Sequence, residues 1–461
     1  MINIYDIAYL AAGVASAPFW LAHSDARRKV LKALRQRMGD YPPRTGDGPA
    51  LMIHAVSVGE LNAARAMIRA LAEARPDLRF IISTSTDTGF ARGRELYGSD
   101  DRVTLIRYPL DFTNAVNRVL DATRPDLVVL MELEVWPNFV RQCQRRGIPV
   151  VLVNGRLTAG SFRRYRLAGP LVRRTFRRLA FVGAQEDKYA QRFIALGVPP
   201  ARVQVTGTMK WDTAQASGAV EGAAELAASV GLRPGQHPIW VCGSTGPGEE
   251  QLLLDSYRQL LATFPNLQLV LVPRKPDRFD EVEDLVRQSV MNVIRRSNPP
   301  SPEESTKLDQ YCVPPVILGD TMGELRKFYE LADVVFVGRT LVDLGQRQHG
   351  SDMIEPAALA KPVIVGPFTG NFAEVMNRFR TSDAIREVAR AEDLQAQVAR
   401  LLTDRHEASA LGRRALEVVR RWQGATALHA AVILRELQSV LTRRGISSQE
   451  IVTMASLPSR G

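Results

Sequence analysis

Cysteine is scarce in this chain. Only Cys143, Cys242 and Cys312 occur among 461 residues, an odd and widely spaced set. They support neither a disulfide framework nor a Cys-based zinc site, and they point to a reducing compartment. The six histidines are scattered, without an H-x-x-x-H or H-x-H pair, which argues against a His-built metal centre. No G-x-x-x-x-G-K-[ST] and no strand-linked G-x-G-x-x-G is present, so P-loop NTPase and dinucleotide dehydrogenase readings lose their main support. Acid is missing altogether from Leu157 to Gln185, whereas seven arginines crowd between Arg163 and Arg178. A solvated helix face, or attraction to nucleic acid, anionic lipid or a phosphorylated substrate, each fits that stretch.

What is present is ordinary globular composition: 45% hydrophobic, 24% charged and a formal net charge of +11. The length predicts two or three domains with substantial cores. Residues Ile7–Ala22 form an uncharged, mainly apolar run, shorter than the roughly 20 residues that span a bilayer comfortably. Its basic residues (Arg27, Arg28, Lys29, Lys32, Arg35 and Arg37) follow it, the reverse of a cleavable signal peptide. That order keeps the bulk of the chain cytoplasmic, whether the run spans or lies in the interface. Phe19 and Trp20 beside Pro18 suit the headgroup boundary. A buried helix of the first domain is the plainer alternative.

From Leu51 onward short apolar runs alternate with amphipathic, helix-length stretches. The runs are Leu51–Val56, Phe80–Ser83, Val103–Tyr108, Leu127–Met131, Val150–Asn154, Ala180–Gly183 and Val203–Thr206. A small-residue stretch, Thr213–Ala228, follows, and the pattern restarts with Ile239–Cys242, Leu267–Val272, Val316–Leu318, Val334–Val337 and Pro362–Val365. Strands buried on both faces and separated by helices predict parallel sheets. The expectation is two Rossmann-like domains: a membrane-associating segment 1–40, a first domain 41–212, a linker 213–225, a second domain 226–442 and a loose tail 443–461. Continuous helix is expected from about Glu392 to Leu441. Ligands of such folds bind at the carboxyl ends of the strands.

The strand–helix junctions are therefore the places to read. In His54-Ala55-Val56-Ser57-Val58-Gly59-Glu60, Glu60 opens a helix whose positive end favours an ionised carboxylate, able to take a proton from a hydroxyl; a plain helix cap is the alternative. Ser83–Gly89 is a hydroxyl-rich turn that suits phosphate or sugar, or again a cap. Glu132 and Glu134 follow a buried strand, ahead of Pro137 at a helix start. Lys210 sits at the junction of the two halves, where a cation would screen charge on a departing phosphate, or pair structurally with a carboxylate. The second half offers Gly243–Glu249, Val272–Pro276, Gly319–Leu325 and Asp352–Pro356. Together they present N–H groups and hydroxyls for a phosphate, with Arg274 for charge pairing.

Taken together, these motifs resemble the 3-deoxy-D-manno-octulosonic acid (Kdo) transferases of lipopolysaccharide synthesis. HAVSVGE, STSTDTG, MELEVWPN, NGRL from Asn154, VTGTMKWD, VPRKPDRF, GDTMGEL, ADVVFVG and IEPAALAKPVIVGPFTGNF occur in family order. The resemblance implies a GT-B fold and inverting transfer of Kdo from CMP-Kdo to a lipid A precursor at the cytoplasmic face of the inner membrane. It implies no cofactor and no catalytic metal; a nucleic-acid partner is not expected, since neither aromatic platforms interleaved with the positive charge nor a groove-reading helix is apparent. Carried over by motif, Glu60 matches the base that deprotonates the acceptor. Glu132 and Lys210 match residues that stabilise the transition state, with Glu134 an alternative for the acidic role. Pro273, Arg274, Met322, Gly323, Glu324, Asp352, Met353, Ile354 and Glu355 match segments that bind the CMP moiety.

Two places depart from the family pattern. Ser244-Thr245-Gly246 and Lys275 stand where Ser-Thr-His and a histidine are usual, and the usual Gly-Gly-His-Asn-Pro-Leu-Glu-Pro loop is rewritten across 345–356. The rewriting leaves room for another nucleotide-sugar donor, or for a membrane-associated binding protein without turnover. The apolar amino terminus and the arginine cluster are expected to meet anionic inner-membrane lipids and the acceptor's phosphates. No specific protein partner is implied.

Overall fold

The computed structural model describes residues 3–23, 33–46, 48–214, 220–301, 312–345 and 348–445, without the side chains of 18–22. The expectations on Pro18, Phe19, Trp20, the basic residues 27–32 and the tail from 446 therefore lie outside it. Contacts divide the chain into two units, Met1–Thr213 with Gln423–Gly461, and Ala214–Trp422.

In the first unit β1 (Ala50–His54), β2 (Arg79–Thr84), β3 (Val103–Arg107), β4 (Leu127–Met131), β5 (Val150–Gly155), β6 (Phe181–Ala184) and β7 (Val203–Val205) form one sheet. Its order is β3-β2-β1-β4-β5-β6-β7, with every pairing parallel. Successive strand residues point to opposite faces, and both faces are covered. Met52, Val128, Leu130 and Leu152 pack on one side with Val116, Val119 and Phe139. Leu51, Ile53, Val129, Met131 and Val153 pack on the other with Leu61, Met67, Ile433 and Leu437. Each such fully buried large side chain contributes about 1.5–3 kcal/mol relative to exposure.

The second unit repeats the plan with β8 (Ile239–Thr245), β9 (Gln268–Pro273), β10 (Val293–Arg295), β11 (Val316–Leu318), β12 (Val334–Val337), β13 (Val363–Val365) and β14 (Arg386–Glu387). The order is β10-β11-β9-β8-β12-β13-β14, again parallel. In both sheets the strand order reverses beside the first strand, between β1 and β4 and between β8 and β12. The crevice at such a reversal is where open α/β sheets place their ligands.

The carboxyl-terminal region corrects two expectations. Helices Glu392–Thr403, Arg405–Trp422 and Ala425–Arg443 replace one continuous helix. They are interrupted at Asp404 and at Gly424, whose φ of +107° suits glycine. The second domain also ends at Trp422 rather than 442, because Ala430, Ile433 and Leu437 of the last helix are buried in the first unit's core.

At the other end, helix Ile4–Ala22 is fastened by its first turn. Asn3 caps it, and its Nδ2 donates to Thr113 Oγ1 (2.8 Å) and Asn138 Oδ1 (2.7 Å). Asp6 accepts from Thr113 N and Oγ1, both at 2.7 Å, and from Asn138 Nδ2 at 3.1 Å. Tyr5 donates its hydroxyl to the Leu171 carbonyl and Tyr9 packs on Phe112, while the other face is bare: Ile4, Ile7, Leu10 and Val14 are 60–66% exposed. Among the described residues no helix is long and apolar enough to cross a membrane.

Candidate functional site

The carboxyl ends of β1 and β4 bring three of the expected acids together. Ser57 caps helix Val58–Ala74, and the Glu60 carboxylate folds back over it. Oε2 accepts from Val56 N at 2.9 Å and Oε1 from Ser57 Oγ at 3.2 Å. The sequence leads one to expect an ionised group at this helix start. Instead, burial, reinforced by the charges of Glu132 and Glu134, outweighs those hydrogen bonds and pushes Glu60 up to about 7. A carboxylate so poised accepts a proton near neutral pH and can pass it on.

Glu132 stands just past β4 in the left-handed region, with φ +54°. Its N–H is fixed by the Val153 carbonyl at 3.0 Å. Burial raises its pKa, opposed by the cations Arg156 and Lys210. Such a conformation is uncommon for a non-glycine residue and clusters at working sites. Glu134 has a different setting. Burial works against its charge, but His54 and Trp136 outweigh that and hold it below the usual range. Trp136 Nε1 donates to Oε2 at 2.8 Å, and His54 Nε2 faces the same oxygen at 3.9 Å. His54 is fully buried, stacked on Tyr108 at 3.8 Å between centroids. Its Nδ1 lies 3.1 Å from the Ser83 carbonyl oxygen; a carbonyl only accepts, so Nδ1 carries a proton.

Lys210 is exposed on the short turn Met209–Thr213, which is anchored on both flanks. Met209 N donates to Asn154 Oδ1 at 3.2 Å, and Asp212 accepts from Gly424 N and Thr426 N, both at 2.6 Å. Asn154, at φ +53°, also donates its N–H to His429 Nε2 at 3.2 Å. Burial drives His429 down to about 3, so it stays neutral and accepting. Asn154, Arg156 and His429 thus shape the surroundings of Glu132 and Lys210. Of these, the sequence reading quoted Asn154 and Arg156 only as part of a motif and missed His429. In the hydroxyl-rich turn Thr86 serves as the helix cap: its Oγ1 accepts from Gly89 N at 3.0 Å and donates to Val56 O at 3.1 Å.

In the second unit, Arg274 is exposed immediately after β9, next to buried Pro273, with its N–H on the Thr245 carbonyl at 3.0 Å. Met322 is 67% exposed, and Gly323 takes φ +86° beside it. Glu324 is engaged by Thr321 Oγ1 (2.6 Å), Arg296 (3.0 Å) and Lys327 Nζ (3.3 Å). Burial opposes its ionisation, and those partners outweigh it, so its pKa falls. Asp352 Oδ1 accepts from Ile354 N at 2.9 Å. Burial, then the neighbouring Asp352, pushes Glu355 up to about 7 against the pull of Arg326. Met353 and Ile354 are 0% exposed as whole residues; both belong to the core, contrary to their expected place in the donor-binding segment.

The loop Gly243–Glu249 also departs from expectation. Buried Glu249 accepts from Gly246 N (2.8 Å), Arg339 N (2.6 Å), Thr340 N (2.8 Å) and Leu341 N (2.8 Å). Of the loop's own N–H groups, that of Gly246 is thus tied up inside the protein.

The sequence model for "3-Deoxy-D-manno-octulosonic-acid transferase (kdotransferase)" matches residues 32–213, the stretch that carries Glu60, Glu132 and Lys210. A 3-deoxy-D-manno-octulosonic acid transferase of Haemophilus influenzae is 35% identical over 403 residues, covering 86% of this chain and 90% of that protein. The chain belongs to the Kdo transferase family. A second such transferase, from Bordetella pertussis, is 33% identical over 397 residues, 84% of this chain and 86% of its own length. A glycosyltransferase crystal structure from Rickettsia africae shares the fold of this Kdo transferase family member at a TM-score of 0.53. It is 13% identical and covers 86% of this chain and 99% of that one.

Proposed function

We propose that this glycosyltransferase moves Kdo from CMP-Kdo to a lipid A precursor in lipopolysaccharide biosynthesis, with Glu60 as general base. The observation that carries the catalytic assignment is the Glu60 carboxyl, placed at the switch point of the first sheet and pushed up to about 7 by burial and, after it, by two neighbouring acids. In this GT-B reading Glu60 takes the proton of the acceptor hydroxyl. The oxygen then attacks the anomeric carbon of Kdo from the side opposite the phosphate, the bond to CMP breaks and the configuration inverts. On the first unit Glu132 and Lys210 supply charge that stabilises the transition state; on the second unit Arg274 belongs to the segment that binds the CMP moiety. Met322, Gly323, Glu324, Asp352 and Glu355 complete the donor surface, with Met353 and Ile354 packed beneath it.

Attachment to the cytoplasmic face of the inner membrane belongs to the same proposal. Support comes from the bare apolar face of helix Ile4–Ala22 and from the acid-free, arginine-rich helices Ala159–Leu167 and Gly169–Phe176. Such a pairing of apolar and basic surfaces binds anionic bilayers.

The test incubates the full chain with lipid A precursor and CMP-Kdo generated in situ, and weighs the product by mass spectrometry. Kdo addition with CMP release is expected, and Glu60→Ala, checked for an intact fold, is expected to lose it. Release of UMP or UDP from another donor, or full turnover by Glu60→Ala, would overturn the donor or the base respectively.

A further inference from the structure

The switch point of the second sheet, between β8 and β12, carries a residue that no motif singled out. Arg339 follows β12 and Gly338, and Gly338 presses on Thr245: a Cβ there would stand 2.5 Å from Thr245 Cα. The same Thr245 receives the N–H of Arg274, so both arginines flank one residue at the end of β8. Arg339 is half-buried and held at φ +60°, a strained conformation for a residue with a Cβ. Glu249 fixes that strained backbone through the Arg339 N–H at 2.6 Å.

Its side chain fills the space that glycine leaves at position 246. A Cβ on Gly246 would meet Leu344 Cδ1 at 2.6 Å and Arg339 Cγ at 2.9 Å. Burial, then repulsion from Arg274, pulls the Arg339 guanidinium below its ordinary value. The acid whose charge reaches it, Glu249, already accepts four backbone N–H groups. Among the described residues neither the Arg274 nor the Arg339 guanidinium has a hydrogen-bonded carboxylate. Beside them the Tyr329 hydroxyl is fully buried without a hydrogen-bond partner, packed against Gly243 and within the field of Arg274, Asp352 and Glu355. Two mutually repelling cations at a sheet's ligand crevice are stabilised by an anion between them.

We propose that Arg339 is a second phosphate-binding cation, gripping the nucleotide's phosphate together with Arg274 in space vacated by Gly246. The inference rests on the donor reading above but concerns a residue outside it. As the sugar–phosphate bond breaks, the leaving phosphate gains charge, and a second guanidinium stabilises that product more than the intact donor.

Calorimetric titration of the full chain with CMP, UMP, cytidine and uridine tests it. Wild type is expected to hold CMP more tightly than cytidine. Arg339→Gly should close that gap by about tenfold or more, since a charge-assisted contact is lost, while cytidine binding stays the same. Glycine relaxes at φ +60°, so the variant should melt no lower than wild type. Arg339→Lys should keep most of the gap. Gly246→Ala should narrow it by displacing the guanidinium, with little further effect on Arg339→Gly. An unchanged CMP-to-cytidine gap in Arg339→Gly would sink the proposal. So would a wild type that prefers neither nucleotide over its nucleoside. If UMP proves the tighter ligand and Arg339→Gly closes its gap to uridine, the phosphate role stands and the CMP-Kdo reading falls.

Discussion

Oε2 of Glu134 is shared by two aromatic neighbours, accepting from Trp136 Nε1 at 2.8 Å while His54 Nε2 stands 3.9 Å away. The arrangement keeps Glu134 anionic, and that anion is one of the charges that lift Glu60 to about 7. With Glu60 as base, kcat/KM should rise about tenfold per pH unit below pH 7 and level off above it. Glu134→Gln removes a charge, so the acid limb should move to lower pH, by about one unit or less. A limb that stays in place would show that Glu134 does not tune the base.

Glu355 is also raised, from an ordinary 4.5 to about 7. Between those values the folded state keeps a proton that the unfolded chain releases, so this group's contribution to stability falls as pH rises through the window. Glu355→Gln escapes that loss. Relative to wild type it should gain on the order of 2 kcal/mol between pH 4.5 and pH 7, then stay level. Urea unfolding at pH 5 and pH 8 measures the difference; a pH-independent offset would contradict it.

The Asp212 carboxylate receives the Gly424 and Thr426 N–H groups. Asp212→Ala leaves both helix-start donors without that acceptor and should cost about 1–2 kcal/mol. Hydrogen exchange should quicken along 425–443 before it changes elsewhere in the first unit. Asp212→Asn, which retains one acceptor oxygen, should be milder.

Leu10→Glu with Val14→Glu alters side chains that touch little of the protein, so the fold should survive. Co-sedimentation with anionic vesicles should drop at least about tenfold. Arg173→Glu with Arg174→Glu should weaken it further and flatten its salt dependence. Undiminished sedimentation of all four substitutions together would remove the membrane proposal.

How much of this was legible in sequence depends on where each signal lives. Of the runs of the first half, those of β1, β2, β4, β5 and β6 stand out because these strands are buried on both faces, and that burial writes continuous apolar sequence. β10 and β14 are three and two residues long at the sheet edges and only partly buried, so Val293–Arg295 and Arg386–Glu387 read as ordinary loop. Glu60, Glu132 and Lys210 were visible as residue types at strand ends, but the sign of the Glu60 shift was not. It depends on burial and on two acids that meet it only in the fold. Glu249 reaches Arg339, Thr340 and Leu341 across some ninety positions, and His429 reaches Asn154 from the far end of the chain. No local pattern announces such contacts.

Because the last helix completes the first unit, the order of synthesis and the order of packing disagree. Leu51, Ile53, Val129 and Met131 leave the ribosome early, yet Ile433 and Leu437, which cover them, are made only after all of Ala214–Trp422. During translation that sheet face stays without its final cover, an adhesive surface for chaperones or for another nascent copy. Loss of a few carboxyl-terminal turns would therefore undo the half of the molecule that was made first.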